Sequence, residues 1–245
     1  MIKLKKIVSI LSNIEDVLCF MFCMFLFLIG LYSIIDSYLV YEHANDDSLL
    51  KYKPGYSEES NDQEIIGNMV AWLTVDKTNI DYPVMQGENN EEYLNKDPYG
   101  EYSLSGSIFL DSRNKPDFSD TYSLIYGHHM EGDHMFGSLH SFLKEKYFKK
   151  HKHGTLIVGN TIYNLKIFAV MNAKATESEI FDSTEVRQSK VLSYIKTNSK
   201  YYNKKIDIQL TDRIIALSTC KYPDSVYRVV VFAKLDNPHQ IEKSN

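Results

Sequence analysis

Cys220 is the cysteine whose presence needs a chemical reason. Cys19 and Cys23 lie inside an uncharged apolar run, where a thiol behaves as a small apolar group. Outside that run Cys220 has no disulfide partner within the chain. Such a thiol is buried and inert, bridged to another molecule, or used. Its surroundings point to use. The segment 213–220 (RIIALSTC) alternates as a strand, which sets Ile214, Ala216, Ser218 and Cys220 on one face and Cys220 at the strand's end. Residues 221–225 (KYPDS) read as a turn, because Pro223 has no N–H for a ladder and Asp224 favours turns. A second strand then begins at Val226. Paired as a hairpin, the two strands bring Cys220 opposite Arg228, one of only four arginines in a lysine-rich chain. A guanidinium beside a thiol suits stabilisation of an oxyanion.

A cysteine nucleophile also needs a base or ion-pair partner, usually histidine. With ordinary pKa values of ~8.5 and ~6.5, about 3% of a thiol is ionised at pH 7 and about a quarter of an imidazole is protonated. Independent groups would then be jointly active in under ~1% of molecules, a cost of roughly 2.7 kcal/mol of barrier. Mutual attraction recovers part of that. Of eight histidines, His128 follows the strand 122–126 and Gly127, where a side chain can emerge at a sheet's end. His129 adjoins it and points elsewhere, His134 and His140 lie in or near a helix, and His151 and His153 flank a lysine turn.

These residues need a sheet to position them. Short β-branched or aromatic runs occur at 71–76, 107–111, 122–127, 155–159, 161–171, 206–210, 213–219 and 226–235, separated by turn residues such as Gly106, Gly154 and Gly159. Eight strands in one domain suggest a barrel or a sandwich. Phe136, Leu139, Leu143 and Tyr147 recur at helical spacing. A second helix is expected from Thr184 to about Ser199, with Asp182 and Glu185 as a capping box. Shorter helical stretches are expected at 64–69 and 90–95. The net charge of −5 argues against nucleic-acid binding.

Val17 to Ile35 carries no charge, and its nineteen residues would span about 29 Å as a helix, enough to cross a membrane. Lys3, Lys5 and Lys6 precede it and acidic residues follow, so the positive-inside bias puts the N-terminus in the cytoplasm and the rest outside. No small-x-small cleavage site follows, which favours an uncleaved anchor over a signal peptide. The expected organisation is a cytoplasmic N-terminus (1–16), a single-pass anchor (17–35), a polar stalk (36–60) and a catalytic domain (61–245).

Histidine after glycine in 124–130 (LIYGHHM), then 217–220 (LSTC), then Arg228 on the next strand resembles the sortases. The segments 71–76 (AWLTVD), 80–84 (IDYPV), 93–95 (YLN) and 106–111 (GSIFLD), with the helix at 184–199, are similar to the class B branch. The resemblance implies a mainly β fold, a closed eight-stranded barrel with an N-terminal helix and a helix between strands 6 and 7. It implies that Cys220 is the nucleophile, His128 the catalytic imidazole and Arg228 the group holding the substrate carbonyl oxygen. Ser218, Asn90, Leu94 and Ile180 match positions lining the substrate groove. The implied reaction is transpeptidation: cleavage after Thr in a C-terminal sorting signal resembling Asn-Pro-x-Thr-(Asn or Gly), a thioester, then transfer to an amine of the peptidoglycan cross-bridge or its lipid-linked precursor. No metal or organic cofactor is required.

Three other readings compete. A metal centre would use His128, His129, His134 and His140, but no H-E-x-x-H helix is present. A non-catalytic envelope binding domain would leave Cys220 unexplained. A cysteine protease that only hydrolyses differs in which nucleophile reaches the thioester.

Overall fold

The computed structural model describes residues 2–44, 47–55, 67–183, 188–220 and 226–241. Two units are distinct, residues 1–43 and 44–245. The first is one helix, α1 (Ile2–Ala44). Its stretch Asn13–Tyr38 has a mean hydropathy of 2.6 and no buried residue, and it is long and apolar enough to cross a membrane.

The second unit is a β-barrel. Its strands are β1 (Met69–Val75), β2 (Asp81–Met85), β3 (Ile108–Leu110), β4 (Tyr122–His128), β5 (His153–Val158), β6 (Thr161–Lys174), β7 (Tyr201–Tyr202), β8 (Ile214–Cys220) and β9 (Tyr227–Gln240). Neighbours run β5-β1-β2-β3-β4-β8-β9-β6, and β6 pairs back onto β5, which closes eight strands. The two-residue β7 adds to the free edge of β6 at Ala169 and Val170. Closure removes the edges that would otherwise present unpaired backbone groups.

Alternation sorts the strand residues into two cores. Val84, Ile108, Ile125, Ile215, Leu217, Val229 and Val231 face the barrel interior. Leu124, Tyr126, Ile214, Ala216, Val230 and Phe232 face outward. Helices α3 (Ser178–Phe181) and α4 (Gln188–Asn198) cover that outer face with Ile180, Val191 and Ile195.

Several elements differ from expectation. Asp81–Met85 is a strand despite Pro83; the β3 ladder reaches β2 only at Val84 and Met85, so Pro83 owes it no N–H. Residues 206–210 alternate like a strand but form none. Their bonds are local, Ile206 N–H to the Asn203 carbonyl and Gln209 N–H to the Asp212 carboxylate. The helical spacing at 136–147 is realised as a 3-10 helix, Gly137–Leu143, and a short α2 (Glu145–Lys150), broken at the extended Lys144. The break lets Phe142 and Phe148, six residues apart, both reach the inner core. Helix α4 starts at Gln188; residues 184–187, including Glu185 of the expected capping box, lie outside the described residues, and Asp182 instead follows α3. Of the expected helix at 64–69, residues 64–66 lie outside the described residues and Met69 begins β1. The turn at 221–225 also lies outside them. The expected stalk is not solvated throughout: Leu49 is buried in the outer core, and Lys53 bonds Asp81 at 2.7 Å, where Trp72 Nε1 also donates.

Candidate active site

Three adjacent strands end together at one end of the barrel. Strands β4 and β8 are parallel, and their register pairs His128 with Cys220. Strands β8 and β9 are antiparallel, and their ladder runs from Ile214 opposite Lys234 to Ser218 opposite Val230, with Arg228 two residues before Val230 on β9. Positions 128, 220 and 228 all share the outward parity of Tyr126, Ala216 and Val230. The fold therefore brings positions 128 and 220 level with each other, and the Arg228 guanidinium reaches the backbone carbonyl of Thr219, the neighbour of Cys220 in the chain.

The surrounding bonds fix the two flanking groups. Nε2 of His128 lies 2.7 Å from the carbonyl oxygen of Leu94, in the β2–β3 connection. A carbonyl only accepts, so this nitrogen carries the proton and the neutral ring keeps its lone pair at Nδ1. Burial pushes the His128 pKa down, and the Arg228 charge adds to that, while the Leu94 carbonyl acts in the opposite direction. Arg228 Nη1 donates to the Thr219 carbonyl at 3.2 Å, next to Cys220, and its guanidinium carbon lies 5.9 Å from the Phe181 ring centre. Thr219 Oγ1 in turn accepts the Val229 N–H at 3.1 Å.

Two glycines make the approach possible. A Cβ at Gly127, just before His128, would sit 2.3 Å from Ile108 and 2.8 Å from Phe136. Gly106 has φ +58°, and a Cβ there would meet the Leu94 carbonyl oxygen at 2.4 Å and that of Tyr93 at 2.7 Å. The acceptor that holds His128 thus rests against a residue with no side chain.

The other expected groove residues take different places. Ser218 is fully buried, its hydroxyl 3.4 Å from the Thr219 carbonyl. Leu94 is half-buried and offers its backbone oxygen to the imidazole. Asn90 is spent on structure: Nδ2 donates to Asp111 at 3.0 Å, and Oδ1 accepts the Ser112 N–H at 2.7 Å. The Ile180 side chain is fully buried, and its carbonyl accepts the Tyr122 hydroxyl at 3.0 Å.

A support network escaped the sequence reading. Asp111 is fully buried and accepts from Arg113 Nε at 2.8 Å, Arg113 Nη2 at 2.7 Å and the Tyr126 hydroxyl at 3.1 Å. Burial alone would raise its pKa; the Arg113 and Asn90 hydrogen bonds outweigh burial and hold it below the usual carboxylate range. Arg113 also bonds the Phe181 carbonyl at 2.7 Å, tying the 180s segment to β3. The rarity of arginine, which draws attention to Arg228, applied equally to Arg113. Near the site the His129 and His140 rings lie 4.4 Å apart, and among the described residues no group of three His, Cys, Asp or Glu side chains could hold a metal ion.

Comparison with known proteins decides the family. The Sortase domain family model matches residues 73–236. The chain belongs to the sortase family. It is 32% identical to sortase B of Staphylococcus aureus over 176 residues, covering 71% of this chain and 72% of that one. A class B sortase of Streptococcus pyogenes involved in pilus biogenesis superimposes with a TM-score of 0.65 at 44% identity, covering 69% of this chain and 92% of that one. The Staphylococcus aureus sortase B–substrate complex gives a TM-score of 0.63 at 31% identity, covering 71% and 81%. These two neighbours are class B enzymes, and the closed eight-stranded barrel of this sortase matches theirs. This sortase is accordingly a cysteine transpeptidase by family. His128, Cys220 and Arg228 all fall inside its matched segment.

Proposed function

We propose that Cys220 is the nucleophile of a sorting reaction at the end of β4, β8 and β9. Its thiolate attacks the carbonyl carbon of threonine in a C-terminal signal resembling Asn-Pro-x-Thr-(Asn or Gly). Arg228 donates to the oxygen as it becomes an oxyanion. The C–N bond breaks, the leaving amine takes a proton from His128, and a thioester remains. An acceptor amine of the peptidoglycan cross-bridge or its lipid-linked precursor gives its proton to His128 and attacks the thioester, releasing the thiolate. The depressed His128 pKa leaves the imidazole mostly neutral at pH 7, the form that accepts this second proton. A thiolate at position 220 would raise that pKa and favour the protonated form needed for the first step. Leu94 and Asn90, both part-exposed, flank the groove, while the fully buried Ser218 and Ile180 support it from behind.

The observation that carries this reading is the register of His128 with Cys220, with the Arg228 guanidinium bonded to the carbonyl of Thr219 beside them. The helix over Asn13–Tyr38 is proposed as a single-pass anchor, N-terminus inside, holding the catalytic domain where secreted proteins emerge. One relative, from Streptococcus pyogenes, is involved in pilus biogenesis, and amines on protein subunits are therefore included among the acceptors to be tested.

The test is mass spectrometry of products from a panel of sorting peptides, with and without cross-bridge peptide or subunit amines. A peptide joined to the acceptor after threonine is expected. Release of free acid alone in every acceptor's presence would make the enzyme a hydrolase and remove the transfer step.

A further inference from the structure

A cleft of about 470 Å³ lies beside α2, and neither His128 nor Arg228 lines it. Lys77, in the β1–β2 turn, faces it together with Lys144, Lys146 and Lys150. Lys146 and Lys150 are four apart on one helix, a spacing at which like charges repel. Among the described residues none of the four has a carboxylate partner, whereas Lys149 on the same helix is paired with Glu145. Among the described residues Asp133 is the one acidic lining residue, and it pairs with none of them. A chain of net charge −5 has carboxylates to spare, so four unpaired ammonium groups around one cleft form a local positive field rather than a general surface property.

A second observation is independent of charge. Ser138 lines the same cleft, is 1% exposed, and its hydroxyl has no hydrogen-bond partner. A buried donor without an acceptor costs stability unless something supplies one. Lysine ammonium groups act as point charges well suited to phosphate oxygens, and an incoming phosphate oxygen would satisfy the serine as well. A single carboxylate would leave most of the positive charge uncompensated. The cleft is larger than one phosphate, and Tyr147, stacked on His151 at 3.7 Å, gives it an apolar wall for an organic substituent.

We propose that this cleft binds a phosphate-class anion, from a lipid headgroup or from a free phosphate ester. The site stands apart from the reading of Cys220 and does not depend on it.

The test uses the full chain in nonionic detergent and titration calorimetry with three probes: inorganic pyrophosphate, short-chain phosphatidylglycerol and short-chain phosphatidylcholine. Saturable binding of pyrophosphate is expected if the source is a free phosphate ester, and of phosphatidylglycerol over phosphatidylcholine if it is a lipid. Affinity should fall as salt rises, and Lys146→Glu with Lys150→Glu should weaken it about tenfold or more. Ser138→Ala, which keeps all four lysines, should weaken it less. Lys77→Gln, in the β1–β2 turn and not on α2 itself, repeats the test should the helix variant unfold. No saturable binding of pyrophosphate or phosphatidylglycerol, or binding that survives both lysine variants unchanged, would overturn the proposal.

Discussion

His128 and Leu94 are joined by a 2.7 Å contact between the imidazole Nε2 and a backbone carbonyl thirty-four residues earlier in the chain. That contact fixes which nitrogen carries the proton. It also links the ring to Gly106, against which the Leu94 carbonyl rests. Gly106→Ala would force the carbonyl aside and strain a residue at φ +58°. The expected loss is about tenfold or more in kcat/KM, since a misplaced catalytic group is costly even at small displacements. Steady-state kinetics together with the nitrogen chemical shifts of His128 check this. Full activity with an unchanged tautomer would contradict the role of the Leu94 contact.

The charge on Arg228 is one cause of the low His128 pKa, after burial. Arg228→Gln should raise the imidazole's midpoint in an NMR titration. An unchanged or lower midpoint would show that the two groups do not interact.

The same depression predicts how stability responds to acid. An unfolded histidine protonates near ~6.5, while folded His128 and His140 resist protonation to lower pH, both chiefly through burial. Between those values the unfolded chain binds more protons. The stabilisation is present above the unfolded value and is lost as pH falls through the folded one. The thermal midpoint should therefore drop as pH decreases below about 6.5, and less steeply in His140→Asn. A parallel slope in that variant would exclude a contribution from His140.

Arg228→Lys keeps the charge but not the planar fork that bonds the Thr219 carbonyl. We expect kcat/KM to fall by about a hundredfold, the scale of losing one oxyanion donor, with little change in unfolding. A fully active lysine variant would remove Arg228 from the reaction.

Arg113→Ala tests the support network. It would leave the Asp111 carboxylate buried with two charge-assisted bonds gone. The expected cost is about 2–4 kcal/mol, at or below the range for breaking a buried pair because the guanidinium is itself partly exposed. Urea unfolding measures it, and a loss under about 0.5 kcal/mol, the scale of an ordinary surface substitution, would contradict the network's importance.

How much of this was legible in the sequence depends on the kind of signal. Alternation identifies β4, β8 and β9, and the antiparallel pairing of β8 with β9 follows from their closeness in the chain. The parallel pairing of β4 with β8, which brings His128 level with Cys220, is a matter of sheet order that no local pattern encodes. Proline hides β2, and residues 206–210 show alternation without a partner strand to use it. Leu94 matters through a backbone oxygen, so its residue type carries no trace of the role. Arg113 was within reach, being as rare in this chain as Arg228.

Catalysis by Cys220 requires a covalent bond between its sulfur and the substrate acyl group. Intact-mass spectrometry of the enzyme quenched in acid during turnover of a sorting peptide, followed by peptide mapping, tests it most directly. The expected adduct has the mass of the fragment ending in threonine less one water, maps to Cys220 and is released as a hydroxamate by hydroxylamine. Continued turnover by Cys220→Ala, or an adduct mapped to Cys19 or Cys23 instead, would contradict it.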